Sequence, residues 1–177
     1  EYRCRPRHYA YSEYSGELPG RSFVRVADQL CVPSPEMCFA LAARTVQLEE
    51  LMELGNELCG TYSRPAVAGQ GDIVQRKGPL ATPDSIRELL TCCEGRGVVR
   101  AQSALEYVLP GSASPMETAV MLLLCLPVRR GGYGLPLPEF NARIDFHGRS
   151  RAVARRGFAR CDLFWNEANL DVEYNGR

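Results

Sequence analysis

The run Arg160–Asn175 constrains this chain more than any other segment. Cys161, Leu163 and Trp165 alternate with Arg160, Asp162 and Phe164, and Leu170, Val172 and Tyr174 alternate with Asp171, Glu173 and Asn175. A period of two is the pattern of a half-buried strand. Joining the halves as a hairpin with Glu167 and Ala168 central in the turn gives one consistent register. Trp165 then faces Leu170, Leu163 faces Val172, and Cys161 faces Tyr174 on an apolar face. Phe164 and Asp171, Asp162 and Glu173, and Arg160 and Asn175 pair on the other. A slip by one residue would mix the two faces. Opposed residues have Cβ atoms about 4.5–5.5 Å apart. Two carboxylates that close repel unless a proton or cation lies between them. Mg²⁺, a hard ion that takes carboxylate oxygens, is the natural relief. The competing reading is a solvated face on which water and salt screen the acids.

Upstream the period is helical. Ser34-Pro35-Glu36, Thr82-Pro83-Asp84 and Ser114-Pro115-Met116-Glu117 each read as a helix start, with a hydroxyl cap, proline and an early acid. They predict helices from Ser34 towards Gly60, in one or two pieces, from Thr82 to about Cys93, and from Ser114 to Leu126. Ala101–Val108 reads as another short helix, Phe23–Val32 as a strand, and Ser63–Pro79 as a loop. The connector Gly131–Pro138 leads to a further alternating stretch, Arg143–His147. The class is mixed α/β (α+β). Pro110-Gly111-Ser112 divides a mainly helical part, 1–110, from a second part, 111–177.

Twenty-one basic and twenty-one acidic residues cancel, so net charge does not point to nucleic acid. Lys77 is the only lysine, a bias that a GC-rich genome or phosphate-binding arginines would both produce. There are eight cysteines but no CxxC, and neither histidine, His8 or His147, lies near a cysteine pair. This argues against a structural zinc site. Cys38, Cys125 and Cys161 sit in apolar runs and read as small hydrophobes. The longest apolar run, Ala119–Val128, is too short to cross a membrane. The expectation is a cytoplasmic protein with no membrane contact, its ends either cuts in a longer protein or limits of an ordered region.

The ordered set Ser114-Pro-Met-Glu117, a Gly/Pro-rich link ending near Asn141, Arg160-Cys-Asp162-Leu-Phe-Trp and Leu170-Asp-Val-Glu173-Tyr-Asn-Gly176 resembles the PD-(D/E)XK nuclease superfamily. It is most similar to a bacterial branch that includes very-short-patch repair endonucleases. The resemblance covers about the last third of the chain. A weaker one, over Ser34–Leu58, is to the helical segment upstream in actinobacterial, antitoxin-associated relatives. The resemblance implies a restriction-endonuclease-like α-β-β-β core, incomplete at its C-terminal end. It implies that Glu117, Asp162 and Glu173 bind Mg²⁺ (or Mn²⁺) and that DNA is the substrate. Asn175 is the fourth catalytic position: it stands where the superfamily has lysine and the branch often has aspartate. Glu117 has a second reading, since Ser114-x-x-Glu117 is also a capping box.

Arg149, Arg151, Arg155, Arg156 and Arg160 form a strip suited to phosphates, or else a solvated edge. Tyr2, Tyr9, Tyr11 and Tyr14 suit packing, a partner surface or base stacking. The expected function is a Mg²⁺-dependent DNA endonuclease in phage defence or repair. The alternative is a catalytically impaired module that binds nucleic acid or a protein partner in a toxin–antitoxin type system. The N-terminal region is the candidate partner surface.

Overall fold

All three hydroxyl-proline signals start helices. In the computed structural model, which describes residues 18–65, 71–95 and 97–175, Ser34 caps α1 (Pro35–Ala42). Gln47 and Glu50 form a reciprocal cap at the start of α2 (Leu48–Cys59), which ends at Gly60. Thr82 caps α3 (Pro83–Thr91), and Ser114 caps α5 (Pro115–Cys125). Each hydroxyl cap accepts an otherwise unpaired N–H: from Met37 at 3.2 Å, Ser85 at 3.0 Å and Glu117 at 3.1 Å. The fourth helix in order, α4 (Val98–Leu105), starts earlier than the expected Ala101, because Gly97 at φ +100° turns the chain into it.

The strands form three small antiparallel sheets among the described residues. The stretch expected as one strand is a hairpin, β1 (Phe23–Ala27) with β2 (Leu30–Pro33). Its turn, Asp28-Gln29, carries no glycine or asparagine to announce it. Within the expected loop, β3 (Tyr62–Ser63) bridges to β4 (Val74–Gln75). The third sheet runs β5-β6-β7, with β5 (Glu139–Asp145), β6 (Phe158–Trp165) and β7 (Leu170–Val172). It follows α5, so the order is helix, strand, strand, strand, with one short helix, α6 (Gly148–Val153), between β5 and β6. The fold is a mixed α/β one. Strand β5 begins before the expected Arg143, since the Leu-Pro-Leu-Pro run ahead of it masks the start of the alternation.

One apolar cluster joins the helices to the inner face of this sheet. Leu51, Met52, Ile86, Ala101, Met121, Phe140, Leu163 and Trp165 all belong to it. Burying each large side chain of this kind contributes about 1.5–3 kcal/mol. The cluster takes members from both sides of Pro110–Ser112. The backbone is tied across that point too: Thr61 N–H donates to Ser112 O at 2.8 Å, and Gly111 N–H to Cys59 O at 3.2 Å. Buried polar groups are satisfied in the same place. Tyr62 and Ser112 hydroxyls both meet Thr118 Oγ1, at 3.2 and 2.9 Å. Asn56 donates to Met52 O and Tyr107 O and accepts from Leu109 N–H.

The seven cysteines among the described residues are free thiols. Cys125 and Cys161 are buried as expected, but Cys38 is exposed, because α1 turns that position away from its core-facing Met37 and Phe39. No described helix is long and apolar enough to cross a membrane. Cys4, His8, Tyr2, Tyr9, Tyr11, Tyr14 and Gly176 lie outside the described residues.

Candidate metal and phosphate site

The hairpin forms in the expected register over its first three pairs: Trp165 with Leu170, Phe164 with Asp171, and Leu163 with Val172. Glu167 and Ala168 are central in the turn, closed by Asn169 N–H to Asn166 O at 3.2 Å. Asn169 takes the left-handed conformation at φ +47°, which asparagine tolerates better than most residues. Leu163 and Trp165 are buried, and Trp165 Nε1–H donates to Pro136 O at 2.7 Å. Leu170 departs from expectation: it is exposed and helps line a groove of about 560 Å³ with Leu135, Pro136, Leu137, Pro138 and Phe164. The groove was not anticipated, although the Leu-Pro-Leu-Pro run was visible.

Beyond Val172 the ladder stops, so the expected pairs Asp162–Glu173, Cys161–Tyr174 and Arg160–Asn175 are not made as ladder pairs. The cause is local. Tyr174 N–H donates to the Asp162 carboxylate at 2.8 Å instead of to a backbone carbonyl of β6. Asp162 thus acts as a hook for the strand that follows it. Tyr174 and Asn175 are exposed.

The acids gather somewhat differently from the expected trio. Cys161 Sγ and carboxylate oxygens of Asp171 and Glu173 lie within 4.8 Å of one another. Among the described residues the ligand atoms of Glu117, Asp162 and Glu173 do not all converge within that distance. Glu173 is exposed; the slight desolvation it meets at the sheet surface, then the nearby Asp162 and Asp171 carboxylates, push its carboxyl above its ordinary value. Burial first, then Asp171 and the other acids, also push the Cys161 thiol up. The carboxylates form a patch of crowded negative charge, with Asp171 as a member the hairpin register had paired only with Phe164.

Glu117 is buried at the start of α5. Its N–H bonds to Ser114 Oγ, one half of a capping box. The other half is altered: Glu117 Oε2 accepts from Ala113 N–H at 2.9 Å and from Asn141 Nδ2 at 2.8 Å. The same Nδ2 donates to Gly111 O at 3.0 Å. Asn141 lies on β5 between Phe140, which pairs with Leu163, and Ala142, which pairs with Cys161. It therefore stands at the level of Asp162, although its φ of +52° takes it out of the ladder. This link between Glu117 and the level of Asp162 was not anticipated. Its partners are distant in sequence, and no short motif marks them.

Arg149, Arg151, Arg155, Arg156 and Arg160 are all exposed. None makes an ion pair among the described residues. Arg160 is registered opposite Arg143 on β5. Arg143 is itself occupied: it pairs with Asp145 at 2.9 Å and lies 4.1 Å over the Phe158 ring. The strip therefore offers uncompensated positive charge along β6 and the α6 connection. No family model, curated protein or solved structure matches the chain.

Proposed function

We propose that this chain is a Mg²⁺- or Mn²⁺-dependent DNA endonuclease that hydrolyses phosphodiester bonds, working in a reducing cytoplasm. The observation that carries this reading is the carboxylate patch at the open end of the β6–β7 hairpin. There Glu173 is crowded by Asp162 and Asp171, beside arginines that lack partners among the described residues. Negative groups so placed are destabilising alone and are neutralised by a bound divalent cation.

Two of the three converging groups, Asp171 and Glu173, are hard carboxylate donors; the third is the Cys161 thiol. Asp171 and Glu173 would hold the ion, with Asp162 beside Glu173; Glu117, the third ligand implied by the nuclease resemblance, does not converge with Asp162 and Glu173. A metal in such a site supplies Lewis acidity and lowers the pKa of bound water. The chain's own residues do the rest. The arginine strip neutralises phosphates and sets the register of the backbone. Arg160, two residues before Asp162 on β6, supplies permanent positive charge but no base. Asn175 carries no charge where the nuclease pattern has a lysine, and that favours a second reading, a slow or impaired enzyme whose main task is to bind nucleic acid or a partner.

The direct test is cleavage by the purified chain of labelled duplex and single-stranded DNA. Slow cleavage in Mn²⁺ or Mg²⁺, abolished by chelator, is the expected result. DNA binding without cleavage on either substrate would replace the enzyme by the binding module. Reversing charge with Arg155→Glu and Arg156→Glu together should weaken DNA binding. It should also flatten the salt dependence by about 0.9 in log–log slope for each duplex phosphate no longer neutralised. Unchanged affinity and slope would remove both arginines from the interface.

A further inference from the structure

We propose that the groove beside the β6–β7 turn is a docking site for an extended segment of another protein that presents arginine next to a large apolar side chain. The inference goes beyond the endonuclease reading and needs no metal. Two prolines make the groove. Ladder pairing of β5 with β6 begins at Glu139, opposite Phe164. Pro138 and Pro136, just before it, have no N–H with which to extend the ladder. The chain from Leu135 to Pro138 therefore runs past the turn after Trp165 with a gap between them. This wall is fixed before any partner arrives. Leu135 N–H donates to Leu124 O at 3.0 Å, and Pro136 O accepts from Cys125 Sγ at 3.2 Å and from Trp165 Nε1 at 2.7 Å. A pre-ordered wall spares a partner the entropy of ordering it. The enclosed space, about 560 Å³, falls within the roughly 300–1,000 Å³ of clefts that hold ligands.

Leu135, Leu137 and Leu170 line the groove and are 39%, 42% and 46% exposed. Covering them is favourable by about 25 cal/mol for each Å² of apolar surface removed from water. Charge decides what covers them. Glu139 and Glu167 line the same groove, and among the described residues no basic one does. Phe164 stands opposite Glu139 on one side and Asp171 on the other in the strand register. The three share the outer face of the sheet, since Leu163 and Trp165, the neighbours of Phe164 along β6, are buried on the inner one. Residues opposed in this way have Cβ atoms about 4.5–5.5 Å apart. Glu139, Glu167 and Asp171 make no ion pair among the described residues. An aromatic ring flanked by two carboxylates suits a guanidinium, which lies over the ring and donates to the carboxylates through its planar fork. The leucines beside it take an apolar neighbour of that arginine. A phosphate backbone meets only repulsion from these acids.

Trp165 lines the groove and is the chain's single tryptophan, so its fluorescence reports on this place. The probe is the capped synthetic peptide Arg-Leu-Arg-Phe-Arg-Leu, titrated into the purified chain with chelator present. A saturable change in Trp165 emission is expected. Replacing the peptide's arginines by glutamate, or its leucines and phenylalanine by serine, should weaken binding about 10-fold or more, the scale of losing an interface anchor. Glu139→Lys and Leu137→Asp should each weaken it as much. Both positions are exposed, so cooperative melting should persist in either variant. No change in emission up to about 1 mM peptide would overturn the proposal, as would equal binding of the serine peptide or full affinity in both variants. Emission that shifts with chain concentration alone would give the groove to a second copy, and emission that responds to a single-stranded oligonucleotide would give it to nucleic acid; either would overturn the proposal too. All of these results leave the endonuclease reading to its own cleavage assay.

Discussion

Asp162→Asn and Glu173→Gln should each reduce metal-dependent DNA cleavage by about a hundredfold or more, the scale of removing a charge-stabilising group from an active site. Neither should unfold the chain. The amide oxygen of asparagine can still accept from Tyr174 N–H, so Asp162→Asn removes charge and keeps the hook. Glu173→Gln relieves crowding, and the metal-free protein should melt no lower than wild type. The pH dependence has a definite sign. The Glu173 carboxyl is raised in the folded chain above its ordinary 4.5, so the native state holds that proton more tightly than the unfolded state does. Metal-free stability should therefore fall as pH rises from the ordinary carboxylate range through the raised value. Divalent cation should reverse the fall, and Glu173→Gln should abolish both effects. Cleavage undiminished in either variant, with chelator still inhibiting, would place the metal elsewhere.

The second large effect is structural. A methyl group at Gly60 would meet two backbone oxygens, Ser112 O at 2.4 Å and Asn56 O at 2.7 Å. Gly60 itself has extended backbone angles that any residue adopts, so the conflict is one of space alone. Backbone cannot yield as a flexible side chain does, and Gly60→Ala should cost about 1–3 kcal/mol. In a chain of this size each kcal/mol corresponds to about 2–4 °C in melting temperature. Displacing Ser112 also moves Ala113, whose N–H holds Glu117. Metal affinity should therefore fall along with stability. Leu163→Ala, at a fully buried position on β6, should cost about 2–5 kcal/mol with little change in affinity wherever the fold survives. A Gly60→Ala variant that melts like wild type would show that the loop tolerates the shift.

These residues also mark what could be read from sequence. Ser34, Thr82 and Ser114 announced their helices because cap, proline and early acid act within one turn of chain. The Leu163–Val172 register was legible because a two-residue period leaves one pairing that keeps Leu163 and Trp165 inside. Where the signal depended on distant groups it was lost. Glu117 read as an ordinary capping box because its partner Asn141 sits a whole connector away. The Asp162–Glu173 ladder pair was over-extended because alternation says nothing about where hydrogen bonding ends. There the Asp162 side chain competes for Tyr174 N–H. Helix α6 and the β3–β4 bridge are too short to show a period at all.

The brevity of β7 has a thermodynamic meaning for anything that binds at its end. Asp171 and Glu173 ride on a strand with three registered pairs, fastened beyond Val172 by one side-chain hydrogen bond. Segments so lightly bonded open at far lower free energy than the core. A strand end held by so few bonds is where local opening is expected first, ahead of the apolar cluster beneath it. A ligand that needs Asp162 and Glu173 together binds only the seated population. Its dissociation constant would then be the intrinsic one divided by the seated fraction.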